Sequence, residues 1–121
     1  MKIIAFGITP VAKPRMVRSD SWKQRPCVVK YWQFKQELNY MAQDKGYKLG
    51  DTLDIVFRIP MPKSWSKKKK KEMFGKPHKQ KPDWDNLAKA FMDCLLDDDS
   101  AVYKAKVAKY WADVGRIEVL R

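Results

Sequence analysis

Residues 81–102 read KPDWDNLAKAFMDCLLDDDSAV and join a helix pattern to an acidic cluster. The seventeen positions 83–99 hold six of the chain's fourteen acidic residues, although the chain is strongly basic. A helix is expected to begin near residues 83–85 and to run to about Cys94 or Leu95. Leu87, Ala88, Phe91, Met92 and Leu95 then form an apolar surface suited to packing on a sheet. Asp83 can cap this helix by accepting the amide hydrogen of Asn86, and either Asp83 or Asp85 suits its positive end. One helix packed on a sheet sets the expected class: a single α/β domain over residues 1–121.

Working outward, KIIAFGI (2–8) reads as a short buried strand stopped by Pro10. The next segment, VAKPRMVRSDSWKQRPCV (11–28), mixes prolines, bases and single apolar residues without a period, so it is expected to be an irregular arm. From Lys30, KYWQFKQELNYMAQDKG suggests a helix ending before Gly46, with Tyr31, Phe34, Leu38 and Met41 on one side. LDIVFRI (53–59) is a strand closed by Pro60 and Pro62. Ser64 or Ser66 can cap a short lysine-rich helix reaching Lys71 to Phe74. GKPHKQKP (75–82) is a connection. AVYKAKVAKYW (101–111) alternates like a strand with one exposed face, and DVGR (113–116) is expected to turn it into the antiparallel strand RIEVL. The result is a mixed or antiparallel sheet of about four strands packed by helices, without internal repeats.

Composition narrows the partner. Lys and Arg number 26 against 14 acids, a formal charge of +12, while 45% of residues are hydrophobic. Such a balance points to a folded domain with a polyanionic partner, nucleic acid ahead of a membrane surface. No apolar run approaches the roughly 20 residues that cross a bilayer, and no signal-peptide pattern is present. Cys27 and Cys94 stand alone, which fits two reduced thiols.

The acids have a chemical reading beside the capping one. Hard divalent cations prefer carboxylate oxygens, and an Asp-x-Asp pair at an element boundary can direct two of them into one space. Lys89 lies four residues after Asp85 and shares its face. It can form an exposed ion pair worth about 0.3–0.5 kcal/mol, or it can face the same cavity and offset phosphate charge. Asp93 lies about 12 Å further along the helix and some 80° round it, so a surface or structural role suits it better. A third carboxylate must come from residues 97–99. If the helix ends near Cys94, the chain can return beside it; if it persists through Leu96, the return is too short within one subunit.

The whole stretch resembles the signature of the RusA-type Holliday junction resolvases, KPDxDNLxKxxxDxL followed by DDxxV. Lys81, Pro82, Asp83, Asp85, Asn86, Leu87, Lys89, Asp93 and Leu95 match the first block; Asp98, Asp99 and Val102 match the second. The resemblance implies that Asp83, Asp85 and Asp99 bind the catalytic divalent metal, Mg²⁺ with Mn²⁺ as substitute, and that Lys89 assists cleavage. It also implies a homodimer that nicks four-way junction DNA in pairs, in the cytoplasm of a bacterial or phage-infected cell. The chain departs from the commoner pattern between the blocks. Only residues 94–97 separate Asp93 from the DD pair, which leaves Asp98 open against Asp99 as third ligand. One or two ions per subunit remain equally open.

Basic residues supply the rest. Nine lysines fall between residues 63 and 81, including the run Lys67, Lys68, Lys69, Lys70 and Lys71. These and Lys81 are expected on the DNA, as are Lys13, Arg15 and Arg18 in the arm, where Lys23 and Arg25 add charge. Trp84, between the paired acids, can stack on a base or pack internally; core or dimer packing is the default for the other tryptophans. Tyr31, Trp32, Phe34 and Trp111 are candidates for either the core or a dimer interface. His78 is the sole histidine, which excludes a histidine metal cluster within one subunit and makes a loop role the expectation. No serine–histidine or cysteine–histidine pair supports covalent catalysis. Two other functions share these features: a metal-dependent nuclease for flaps, forks or duplex, and a non-catalytic DNA-binding module.

Overall fold

The computed structural model describes residues 2–15, 17–18, 25–96 and 99–120, with the backbone alone at Asp99. Strand β1 (Ile3–Phe6) is followed by helix α1 (Pro26–Lys45) and strand β2 (Thr52–Pro60). Helices α2 (Lys67–Met73) and α3 (Trp84–Leu95) follow, then a 3-10 turn (Asp99–Ala101), strand β3 (Lys104–Ala112) and strand β4 (Arg116–Leu120). The sheet is mixed, in the order β1-β4-β2-β3.

Helix α1 starts at Pro26, earlier than the expected Lys30. Proline fits a first helical turn, where its missing N–H is no loss, and starting there brings Val28 into the buried row with Tyr31, Phe34, Leu38 and Ala42. Gly46 ends the helix at φ 65°, and its N–H is directed to the carbonyls of Ala42 and Gln43. Glycine meets no Cβ penalty in that left-handed conformation. Helix α3 buries Leu87, Ala88, Ala90, Phe91 and Cys94. Against the two helices lie Phe6, Leu53, Ile55, Phe57, Ile117 and Val119, all buried, so the core is one layer between helices and sheet. Strand β1 is a half-exposed edge strand whose one fully buried residue is Phe6, rather than a buried one.

The expected hairpin between the last two strands does not form. Strand β4 pairs antiparallel with β2 (Phe57 opposite Ile117), and β2 pairs parallel with β3 along nine positions, from Thr52–Lys104 to Pro60–Ala112. A parallel pair needs a long crossover, and α2 and α3 lie in that connection. The short link 113–115 steps across the end of β2 instead of folding back. Gly115 permits this by close approach: a Cβ there would lie 2.4 Å from Thr9 Oγ1 and 2.5 Å from Thr9 Cα. β2, with Leu53, Ile55 and Phe57 buried on its helix-facing side, holds the central slot between β4 and β3. It extends through Pro60 rather than stopping before it.

Candidate active site

Helix α3 is entered from the loop 75–82, which lies along the outer edge of β3. Gly75 N–H donates to the Trp111 carbonyl (2.9 Å), Trp111 N–H to Lys76 (2.9 Å) and His78 N–H to Lys109 (3.0 Å). Beyond His78 the backbone leaves the strand. There the Lys109 ammonium donates to the carbonyls of Gln80 and Pro82, each at 2.6 Å. The Lys81–Pro82 peptide is cis.

Asp83 occupies the N-cap position of α3 in an extended conformation, but its side chain makes no capping hydrogen bond. The expected bond to the Asn86 amide is therefore not made. Asp83, Asp85, Asn86 and Lys89 are all exposed, and among the described residues no ion pair joins Asp85 to Lys89. Two carboxylates and an ammonium thus stand at the first turns of one helix without partners in the described structure. The helix terminus adds partial positive charge beneath the acids. Trp84, between them, is 55% exposed and packs into no core.

Asp93, one face away, receives the ammonium of Lys13 in an ion pair. The Lys13 backbone N–H also donates to the Asn86 carbonyl at 3.4 Å. Lys13 therefore ties the N-terminal segment across α3, a use that its place in a basic arm did not reveal. Arg25 similarly donates to the Arg15 carbonyl at 2.8 Å. Arg15 and Arg18 remain exposed. Nearby, burial pushes the Cys94 thiol up to about 11, even though its hydrogen bond with the Tyr31 hydroxyl acts the other way. Burial raises Tyr31 as well.

Asp97 and Asp98 lie outside the described residues, and Asp99 opens the 3-10 turn that packs beside α3. The helix ends at Leu95, with Leu96 extended. Leu95 is about 15 Å along the axis from Asp85, and four Cα steps to Asp99 cover at most about 14 Å. The intrachain return is thus narrow. Among the described residues no three His, Cys, Asp or Glu side chains gather as a metal group. The described donors are the Asp83 and Asp85 carboxylates, and their chemistry fits Mg²⁺ or Mn²⁺: hard, anionic oxygens without a protein partner.

The lysine-rich helix α2 is capped by Ser66, whose Oγ accepts from Lys69 N–H at 3.1 Å, and it buries none of its residues. Lys67, Lys68 and Lys71 are exposed, as is Lys81. Lys69 lies over the Trp65 ring at 4.3 Å. Trp65 packs on Trp111 with centroids 4.8 Å apart, and Trp111 on His78 at 4.3 Å. This stack anchors the base of the lysine segment to β3. His78 is only 4% exposed, and burial followed by the Lys109 charge lowers its pKa. It is a buried loop residue rather than a DNA-facing one. Tyr31, Phe34 and Trp111 are buried within the chain; Trp32 alone of the candidate interface aromatics is half exposed. Trp22 lies outside the described residues.

Comparison with known proteins identifies the family. A family profile described as "Endodeoxyribonuclease RusA" matches residues 7–120, nearly the full chain. The chain is also 40% identical over 136 aligned positions to "Uncharacterized protein YqaN" of Bacillus subtilis (strain 168), with 99% of this chain and 94% of that protein covered. The match takes in strands β2, β3 and β4, all three helices and the acidic run 97–99, and the chain belongs to the RusA family of endodeoxyribonucleases.

Proposed function

We propose that the protein is a divalent-metal-dependent endonuclease that resolves four-way DNA junctions by paired symmetrical nicks. The observation that carries this reading is the pair Asp83 and Asp85. Both are exposed at the start of α3, and neither has a hydrogen-bond or ion-pair partner among the described residues. A carboxylate kept only for capping would hold a helix amide; Asp83 does not. Family membership supplies the nuclease chemistry to which such a pair is suited.

In this reading Asp83, Asp85 and Asp99 hold Mg²⁺ or Mn²⁺, with Asp98 the alternative third ligand. When bound, the ion supplies Lewis-acid polarisation of the phosphodiester and a more acidic water. Lys89, one turn from Asp85 and unpaired, offsets the charge that develops on the phosphoryl oxygens. Lys67, Lys68, Lys71 and Lys81 bind the DNA backbone, and Arg15 and Arg18 extend that surface. Lys13 and Asp93 hold the arm on α3, and Asn86 supports the arm through its carbonyl. A two-fold homodimer places two such sites on two symmetry-related strands.

The test is incision mapping on an immobile four-way junction beside a matched fork and linear duplex. Wild type should make paired nicks on the junction in Mg²⁺. Asp83→Asn and Asp85→Asn should keep the fold and most junction affinity but lose about 100-fold or more of the single-turnover rate. Near-normal cleavage by either variant would sink the assignment. Equal cleavage of the fork or duplex would replace junction resolution with a broader nuclease activity.

A further inference from the structure

Strand β3 carries a lysine where its pattern calls for an apolar residue. Lys109 is opposite Phe57 in the parallel register, and so it rises from the sheet face that meets the helices. Its neighbours on that face are Val107 and the buried Trp111. A cation on a core-facing position is unfavourable unless its donors are satisfied. Here they reach two carbonyls, Gln80 and Pro82, three residues and one residue before Asp83. Rule-breaking residues of this kind tend to mark functional positions.

We propose that Lys109 is a positioning residue for the acidic pair, clamping the chain that presents Asp83 and Asp85. The proposal rests on the reading of that pair as the metal-holding group. Two features make the clamp effective. The strand beneath Lys109 is fixed by nine parallel pairs with the central strand β2. The loop is bonded by its backbone to β3 only as far as His78, so among the described residues Lys109 is the one tie on residues 79–82. Fixing both carbonyls restrains the direction in which the chain enters α3. Two short carboxylates can share one ion only if that direction is held. The two hydrogen bonds also commit the ammonium to the loop, which separates its role from that of Lys89.

The test compares Lys109→Met with Lys109→Arg in the full-length protein. Hydrogen exchange should quicken about tenfold at Leu87 and the next amides of α3, the first of which is bonded to the Asp83 carbonyl, in Lys109→Met while β2 keeps its protection. Calorimetric titration with Mn²⁺, without DNA, should show weaker binding by a similar factor. Single-turnover cleavage should fall at limiting Mg²⁺ and recover as Mg²⁺ is raised. Junction affinity and its salt dependence, measured without divalent metal, should stay at wild-type values. Lys109→Arg keeps charge and donors and should restore much of the protection at the start of α3. Wild-type exchange and Mn²⁺ affinity in Lys109→Met would overturn the proposal. So would a reduced salt slope, which would assign Lys109 to phosphate contact. If Lys109→Met loses protection throughout the sheet, Lys109→Gln, too short to span both carbonyls, makes the same comparison. Normal cleavage by Asp83→Asn would remove the metal-pair reading while leaving the exchange result intact, so the two failures are distinguishable.

Discussion

Replacing Lys67, Lys68 and Lys71 together by glutamine tests whether α2 is a phosphate-binding element. At about 100° per residue the three side chains fan over roughly 100° of the helix surface. All three are exposed, whereas Lys69 lies over Trp65 and Lys70 is half buried. Each phosphate-bound lysine contributes about 0.9 to the slope of log affinity on log salt, so losing three should lower that slope by about 2.7 and weaken binding roughly 100-fold near 0.15 M salt. Glutamine keeps helix propensity, and the helix buries none of its residues, so stability should change by less than about 1 kcal/mol. The assay is fluorescence anisotropy of a labelled junction between about 50 and 200 mM salt, a range over which counterion release changes affinity steeply. It is run in EDTA to prevent cleavage. Lys69→Gln is the internal control: its ammonium is already placed over an indole ring, and its slope change should be small. A triple variant with the wild-type slope would refute the reasoning. A Lys69→Gln effect as large as the triple's would show that the exposed face is not the one that binds.

Two further predictions concern the scaffold. Gly115→Ala should cost about 2–3 kcal/mol, near a 10 °C fall in melting temperature for a domain this size, while Gly50→Ala, with open space around it, should change little. Adding Thr9→Ala should not rescue Gly115→Ala, because the Thr9 Cα itself lies 2.5 Å from the added Cβ; full rescue would place the strain in the side chain and contradict this. His78 has a lowered pKa, so the unfolded chain binds its proton first as pH falls. Stability from this residue is complete above the ordinary histidine value of about 6.5 and declines as pH drops below it toward the lower folded value. His78 Nδ1 has no hydrogen-bond partner among the described residues, so His78→Phe should keep the stack on Trp111 and flatten the melting-temperature profile between about pH 5 and 7; an unchanged profile would remove His78 as its source.

Much of this was readable from residue order. The apolar stripe of α3, the glycine stop at Gly46 and the strand around Phe57 each follow from local sequence, and the structure shows all three. The errors came from long-range choices. RIEVL has the same alternation whichever strand it joins, so residues 113–116 resembled a hairpin turn. The preference for β2 comes from burying Ile117 and Val119 beside Phe57 and Ile55, which is a property of the assembled sheet. Pro26 resembled part of an irregular arm because a first-turn proline and a loop proline look alike without their neighbours. At the candidate site, the closeness of Asp83, Asp85, Asn86 and Lys89 was legible because the first two turns of one helix carry them all. Lys109 was not, since its partners are carbonyls 27 and 29 residues earlier. One signal was present: a lysine at an odd-numbered position of β3, between Val107 and Trp111, breaks the two-residue alternation.

The loop 75–78 covers the outer edge of β3 only at Lys109 and Trp111. Nearer the start of the strand, the outward backbone groups of Ala105 and Val107 have no loop against them among the described residues. An uncovered strand edge invites pairing with another copy, the route by which sheets grow into aggregates. Here the open segment is interleaved with Lys104 and Lys106, both exposed. Antiparallel addition of a second β3 to that edge would set lysines against lysines, and like charges facing each other across a strand pair are repulsive. The lysines of β3 thus give the chain colloidal protection at its unsealed edge, independent of any contact with DNA.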